Sequence, residues 1–367
     1  MGDALLPGTC PANPEGYAVW MPFLRSGARA VGLDGQPGGA TWQTVAALAL
    51  VFFSGTLMAG QAEINGALSA FLDDPVGAAL FSFATGLILV YLKTAFSPKI
   101  RQGVKLTLAA VRRRQLPVWY LASGAMGASV VLAQSAAVPV TGVAVFVVAV
   151  VAGQVCSGLA VDSFGWGGAE RRPASPLRVG GAVMIALATV MTATGDMTGG
   201  GLGWLVAVAA SVAAGSLVSF QVAWNGSIKR TAGTPWASAV FNFTAGTTVL
   251  AVAWLITRLG GPRSGSWPSW PDSWWLYTSG LIGVTVIFLH SWLVRRIGVL
   301  ALGLAAVTGQ LAGALALRAG LPGRSPVTVL VVAGTLAALV GAIIAALPSS
   351  RRRPDPDQFK DAAAPTA

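Results

Sequence analysis

Ten apolar runs of about 20 residues follow one another along the chain, separated by short polar or glycine- and proline-rich segments. No water is available in hydrocarbon to pair an open backbone, so each run is expected to be a helix. The pattern places spans near 43–70, 75–96, 117–137, 140–161, 177–195, 202–226, 235–257, 273–293, 297–319 and 326–347. Pro75, Pro117, Pro176, Pro235, Pro262, Pro326 and Pro348 fall at span edges, where a missing N–H is tolerated. Pro139 with Gly142, and Gly199-Gly200-Gly201, mark short turns. The expected fold class is an all-α polytopic membrane protein with ten transmembrane helices. Residues 1–42 lack the n-region and h-region of a signal peptide and read, like 349–367, as a disordered tail; a start codon set too early would also account for the first segment.

Composition narrows the class. Of 367 residues, 54% are hydrophobic and 10% charged, against about a quarter charged in soluble domains; the mean hydropathy is +0.68. Cys10 and Cys156 form neither a disulfide framework nor a metal-ligand spacing, and a single histidine without H-E-x-x-H argues against a zinc hydrolase. The glycine run at 199–203 lacks the Lys-Ser/Thr ending of a P-loop, and no Ser-His-Asp or paired-carboxylate constellation is visible. The net charge of +11 would suggest nucleic acid in a soluble chain, but 20 of the 24 Lys and Arg fall on one set of alternate loops, the set that includes both tails. That bias predicts an inner-membrane protein with cytoplasmic termini, and it reads Arg112-Arg113-Arg114 as a topology anchor with anionic-lipid contact as an addition. Trp267, Trp270, Trp274 and Trp275 then fall at the outer interface.

An internal repeat is the most informative pattern. Gln61, Asn65-Gly66, Pro75, Phe81-x-Phe83 and Gly86 recur without a gap at an offset of 160 as Gln221, Asn225-Gly226, Pro235, Phe241-x-Phe243 and Gly246. The offset then becomes 156, pairing Gly124 and Gly127 with Gly280 and Gly283, Gly142 with Gly298, and Gly153-Gln154 with Gly309-Gln310. Composition bias would repeat Ala, Val and Gly, but not Gln, Asn and Pro in register. Two halves, 43–195 and 196–348, each hold five spans; an odd number requires them to lie inverted in the membrane. Loop charges agree: Asp73-Asp74, expected outside, corresponds to Lys229 and Arg230, expected inside.

These paired Q-x-x-x-N-G, Pro, F-x-F, Gly and G-Q motifs resemble the YdcZ-type membrane proteins of the drug/metabolite transporter superfamily, which also holds the EamA-like exporters and the small multidrug-resistance proteins. The resemblance covers about residues 43–347. It implies a fused tandem of five-helix units and an inner-membrane transporter working as an exporter, and says little of substrate. Asp162 after the first G-Q motif stands where the second half has Arg318, so the halves are not chemically equivalent.

Transporters work through the few polar side chains they bury. Gln61, Asn65, Gln134 and Gln154 correspond to Gln221, Asn225, His290 and Gln310, four pairs that would build a roughly two-fold substrate pathway. Amides offer donors and acceptors without fixed charge; their alternative use is interhelical glue at under about 2 kcal/mol each. Gln61 and Asn65, four residues apart, share one helix face, as do Gln221 and Asn225. Glu63 and His290 are the candidate proton sites. An ionised carboxylate at Glu63 would cost on the order of 3 kcal/mol, yet Glu63 points away from Gln61 and Asn65 and its counterpart is Ala223. Asp162 is expected to pair with Arg171, Arg172 or Arg178.

The expected function is secondary transport, with export of a small metabolite or drug, proton-coupled or driven by the substrate's own gradient. No cofactor, metal or enzymatic role is expected; the partners are a small-molecule substrate and the bilayer, not nucleic acid, and the fused repeats make a monomer feasible beside a homodimer. The alternative is a scaffold or sensor of the same fold. A polar cavity lined by Gln61, Asn65, Gln221 and Asn225 would favour transport, and a solid glycine-packed interface the scaffold.

Overall fold

The computed structural model describes residues 42–166, 174–194, 201–261, 265–320 and 327–346, and the tails and Arg171 and Arg172 lie outside that set. The described residues are helical, without strands. The elements are α1 (Trp42–Leu72), α2 (Pro75–Ala95), α3 (Pro98–Arg112), α4 (Ser123–Phe164), α5 (Pro176–Thr194), α6 (Leu202–Ala232), α7 (Pro235–Arg258), α8 (Ser279–Gly320) and α9 (Val329–Ala346). Short 3-10 turns, Val118–Ala122 and Trp274–Thr278, lead into α4 and α8. Among the described residues, seven helices are long and apolar enough to cross a membrane, and the apolar segments Trp274–His290 and Val329–Ala345 are shorter. This is a multi-pass membrane protein.

Local chemistry sets the boundaries. Helices α2, α3 and α7 begin with proline in the first turn, where the ring fits and no N–H is missed. Asp74 caps α2, its carboxylate accepting from Gly77 N at 2.9 Å. Helix α6 stops at Gly233, whose φ of +69° needs a residue without a Cβ. The segment 97–116, expected to be a loop, instead holds α3: Ile100, Gly103, Thr107 and Ala110 recur at helical spacing and are buried, so a charged stretch becomes a one-sided helix.

The repeat reappears in the element boundaries. Trp42–Leu72 and Leu202–Ala232 are both 31 residues long and sit 160 apart. Ser123–Phe164 and Ser279–Gly320 are both 42 residues long and sit 156 apart, as do the turns that precede them. A straight helix of 42 residues would be about 63 Å long, twice the hydrocarbon thickness. In α4 the chain breaks at Gly142 (φ 74°, ψ 159°), three residues after Pro139.

Contacts show that both long elements fold back. Along α4, Ser123 meets Asn225 and Gly127 faces Gln221 of α6, so the first arm runs against α6. Beyond the break, Gly153 meets Val212 and Ser157 meets Ser219, so the second arm runs back with it. Along α8, Ser279 meets Asn65, His290 meets Ser54, and Leu293 and Ile297 pack with Val51, before Gly309 and Gly313 return past Phe52 and Thr56 of α1.

Equivalent helices pair antiparallel. At one end of the α2–α7 pair, Asp74 binds Arg258 (3.1 Å) and Trp254 Nε1 (3.1 Å); midway, Phe83 and Phe243 are 5.4 Å apart; at the other end Lys93 lies 4.5 Å over the Trp236 ring. In α5–α9, Gly181 approaches Ala345 while Gly334 approaches Ala188 and Thr192. Glycine permits these crossings, and does so reciprocally. A Cβ on Gly153 would lie 2.0 Å from Val212 O, and one on Gly309 1.9 Å from Phe52 O. A Cβ on Gly215 would meet Val150 O at 2.1 Å, and one on Gly55 would meet Ala306 O at 2.1 Å. The second arm of α4 is enclosed by these crossings, with Val143 through Ala152 buried. Phe53, Leu187, Val190, Leu255 and Ile256 form part of the apolar exterior a bilayer would cover.

Candidate substrate pathway

Helix α1 carries Gln61 and Asn65 on one face because they are one turn apart, and α6 does the same for Gln221 and Asn225. Asn65 is fully buried. Its Nδ2 donates to Gln134 Oε1 at 2.7 Å, and its Oδ1 accepts from Ser279 Oγ at 2.5 Å. Ser279 Oγ is also 2.6 Å from Ser82 Oγ, and its carbonyl accepts from Gln61 Nε2 at 3.0 Å. Four helices, α1, α2, α4 and α8, thus share one layer of amides and hydroxyls.

A second layer forms around the repeat counterparts of these residues. Asn225 Oδ1 accepts from Ser123 Oγ at 2.8 Å, the counterpart of the Asn65–Ser279 bond. Gln221 Nε2 donates to Asn242 Oδ1 at 2.7 Å, which Asn225 Nδ2 approaches at 3.4 Å. Asn242 occupies the position of Ser82. The symmetry is incomplete: Gln61 donates to the Ser279 carbonyl, whereas Gln221 donates to the Asn242 side chain. Gln134 bonds Asn65, whereas its counterpart His290 turns from Asn225 and lies with Nε2 2.8 Å from Ser54 Oγ. Asn225 is half-buried, and where a Cβ on Gly66 would lie 2.8 Å from Val138 Cγ1, one on Gly226 would meet only Arg230, at 3.7 Å.

The structure therefore brings together Gln61, Asn65 and Gln134, and separately Gln221 and Asn225. Gln154 and Gln310 stand beside the glycine crossings; Gln154 O accepts from Ser219 Oγ at 2.8 Å, and Gln310 is buried. Glu63 is buried at 6% exposure, enclosed beside Ala59 and Ala62 rather than lipid-facing. Asp162 binds Arg178 at 2.5 Å, outside both layers. The interface is glycine-packed at its crossings and polar between them. Ser82, Ser123, Ser279 and Asn242 belong to the layers and are not among the residues expected from the sequence. Their signal was in the repeat: Ser82 and Asn242 are the middle residues of the F-x-F motifs, and Ser123 and Ser279 directly precede the paired Gly124 and Gly280.

Residues 46–191 and again 206–344 match the family model described as "Putative inner membrane exporter, YdcZ". The chain belongs to the YdcZ family. No curated protein matches it. The two matched segments correspond to the two sets of repeated elements, consistent with a tandem form of this exporter family. Membership makes the chain a membrane protein of an exporter family. The amide layers are where its transport chemistry would be sought.

Proposed function

We propose that this YdcZ-family protein is a secondary transporter that exports small metabolites or drugs, exposing its two amide layers alternately to the two sides of the inner membrane. Ten crossings arise if each arm of α4 and of α8 spans the bilayer and α3 does not. The halves 43–195 and 196–348 are then inverted, as the antiparallel α2–α7 and α5–α9 pairs support. With both termini in the cytoplasm, Gln61, Asn65, Gln134 and Ser279 form the outer layer. Gln221, Asn225, Ser123 and Asn242 form the inner one, with His290 at a similar depth.

The carrying observation is the broken symmetry at these layers. Asn65 is closed over by Gln134, while Asn225 is half-buried and its would-be partner His290 is held by Ser54. This corresponds to a cytoplasm-facing state, with the outer end shut by Asn65–Gln134, Gly66 against Val138 and the Asp74–Arg258 ion pair. Exchanging the two halves' conformations would close Asn225 on His290 and release Asn65 from Gln134, giving the outward-facing state by small rearrangements about a fixed framework. The layers carry no fixed charge, which suits hydrogen-bonding solutes that must bind and leave. Glu63 and His290 are the groups available for proton coupling.

The test is efflux of a metabolite library from proteoliposomes, with and without an imposed pH gradient. Uptake or release above empty vesicles for some solutes is expected. Flux identical to empty vesicles for every solute would favour the scaffold reading. Gradient-driven flux unchanged in Glu63→Gln would remove that residue from the coupling, and His290→Ala applies the same test to histidine.

A further inference from the structure

Helix α3 has no counterpart in the second half, where the segment between α7 and the turn Trp274–Thr278 forms no helix among its described residues. One stripe of α3 packs on the protein. A Cβ on Gly103 would lie 2.9 Å from Ala232 O and from Thr234 Cγ2, Ile100 packs with Val90, and Ala110 packs with Ile228. The rest of its surface, and the turn after it, present Lys99, Arg101, Lys105, Arg112, Arg113 and Arg114, all exposed. Arg101 donates to the carbonyls of Thr94 and Ala95 at the end of α2. The side chains of the other five meet no protein partner among the described residues.

Counterions are missing from every element nearby. The sequence has no Asp or Glu between Asp74 and Asp162, nor between Asp196 and Asp272. Of the helices that flank α3, α2 adds Lys93 and α6 adds Lys229 and Arg230 to the same end of the molecule. Like charges one turn apart, as at Arg101 and Lys105, are unfavourable unless an anion lies between them. Beside these cations are apolar side chains with nothing over them: Leu106 and Leu108 on the two flanks of the buried stripe, with Phe96 and Trp119 at the ends of the segment.

Cations without counterions flanked by exposed apolar groups is the profile of a helix lying in the headgroup layer. We infer that α3 with Arg112-Arg113-Arg114 is a binding surface for anionic phospholipid headgroups, its cations holding phosphodiester groups and Phe96, Leu106, Leu108 and Trp119 entering the acyl boundary. The surface rests on the membrane orientation in the proposed function and not on transport itself. It fixes one half at the cytoplasmic face through bound lipid, by a helix that has no counterpart among the described residues of the other half.

The test is native mass spectrometry of the full chain in detergent, titrated with dioleoylphosphatidylglycerol, dioleoylphosphatidylcholine, inorganic phosphate or a short RNA. The expected result is a preference for phosphatidylglycerol over phosphatidylcholine of about tenfold or more, from several cations acting together near a charged surface. Replacing Lys99, Lys105, Arg112, Arg113 and Arg114 by Gln should bring that preference within about twofold and leave phosphatidylcholine retention unchanged. Should that variant fail to insert, raised salt on the wild-type chain and the variant Leu106→Asn with Leu108→Asn give the same reading through charge and insertion separately. Equal retention of the two lipids overturns the inference, as does competition by inorganic phosphate at lipid concentrations or preferential retention of RNA. Orientation is read independently from Gln115→Cys and a membrane-impermeant maleimide: labelling from the outside alone would refute the orientation, whatever the lipid result.

Discussion

Replacing Gly153 by Ala tests the reciprocal crossings that define this fold. The added methyl would lie 2.0 Å from Val212 O and 2.9 Å from Ser216 N, both backbone atoms that no rotamer change can move. Ordinary carbon–oxygen contact needs about 3.4 Å, so α4 and α6 must separate by roughly an ångström along a helix contact that has no slack. Overpacking of this kind costs about 1–3 kcal/mol, and a rigid backbone obstacle places it toward the upper end. Gly309→Ala puts its methyl 1.9 Å from Phe52 O and should cost the same within about 0.5 kcal/mol, because it is the same crossing in the other half. Gly180→Ala, where nothing lies within 4 Å, is the control and should be neutral or stabilising by up to about 1 kcal/mol. In thermal unfolding of the detergent-solubilised protein, 1–3 kcal/mol corresponds to a fall of about 2–10 °C in Tm. Gly153→Ala as stable as Gly180→Ala, or stable while Gly309→Ala is not, would refute the reciprocal packing.

Asn65→Ala should destabilise by about 1–3 kcal/mol by stranding the buried Gln134 and Ser279, and Asn225→Ala by about 0.5–1 kcal/mol because its site is half-buried; chemical denaturation of both variants checks the order. Asp74→Ala removes the acceptor for Gly77 N, Trp254 Nε1 and Arg258, and adding a lost cap to a lost charge-assisted bond predicts a loss of about 2–3 kcal/mol. Arg258→Gln should cost only about 1 kcal/mol, since that side chain is 38% exposed, and the difference is read in the same unfolding assay. In a background lacking Cys10 and Cys156, an impermeant maleimide should label Asn225→Cys in inside-out vesicles and Asn65→Cys in neither membrane orientation; the reverse pattern would place the open side outward.

Much of the fold could be read before any coordinates. Long apolar runs pointed to the membrane helices, seven of which are long and apolar enough to cross among the described residues, and Gln, Asn and Pro repeated in register pointed to the equal-length helices 160 and 156 residues apart. The change of offset has a physical origin: the first half inserts α3 between its second and third long helices, and the second half connects the same points without it. The helix itself was hidden because a segment this basic reads as a topology loop until Ile100, Gly103, Thr107 and Ala110 are seen to share a stripe. The amides of the two layers were legible by type. Their partners were less so, since Ser82, Ser123 and Ser279 are small hydroxyls that elsewhere in these helices bond their own backbone, as Ser135 does to Val131 O. The departure of His290 toward Ser54 was not legible at all, because it belongs to the conformation rather than to the sequence.

In the proposed cycle the Asn65–Gln134 contact closes the outer side and must open at every turnover. This is tested by solute efflux from proteoliposomes carrying Asn65→Cys with Gln134→Cys in the chain lacking Cys10 and Cys156, before and after oxidation. Forming this disulfide is expected to lower flux to the level of empty vesicles, and a reductant to restore it. Undiminished flux through the crosslinked protein would contradict the proposed cycle.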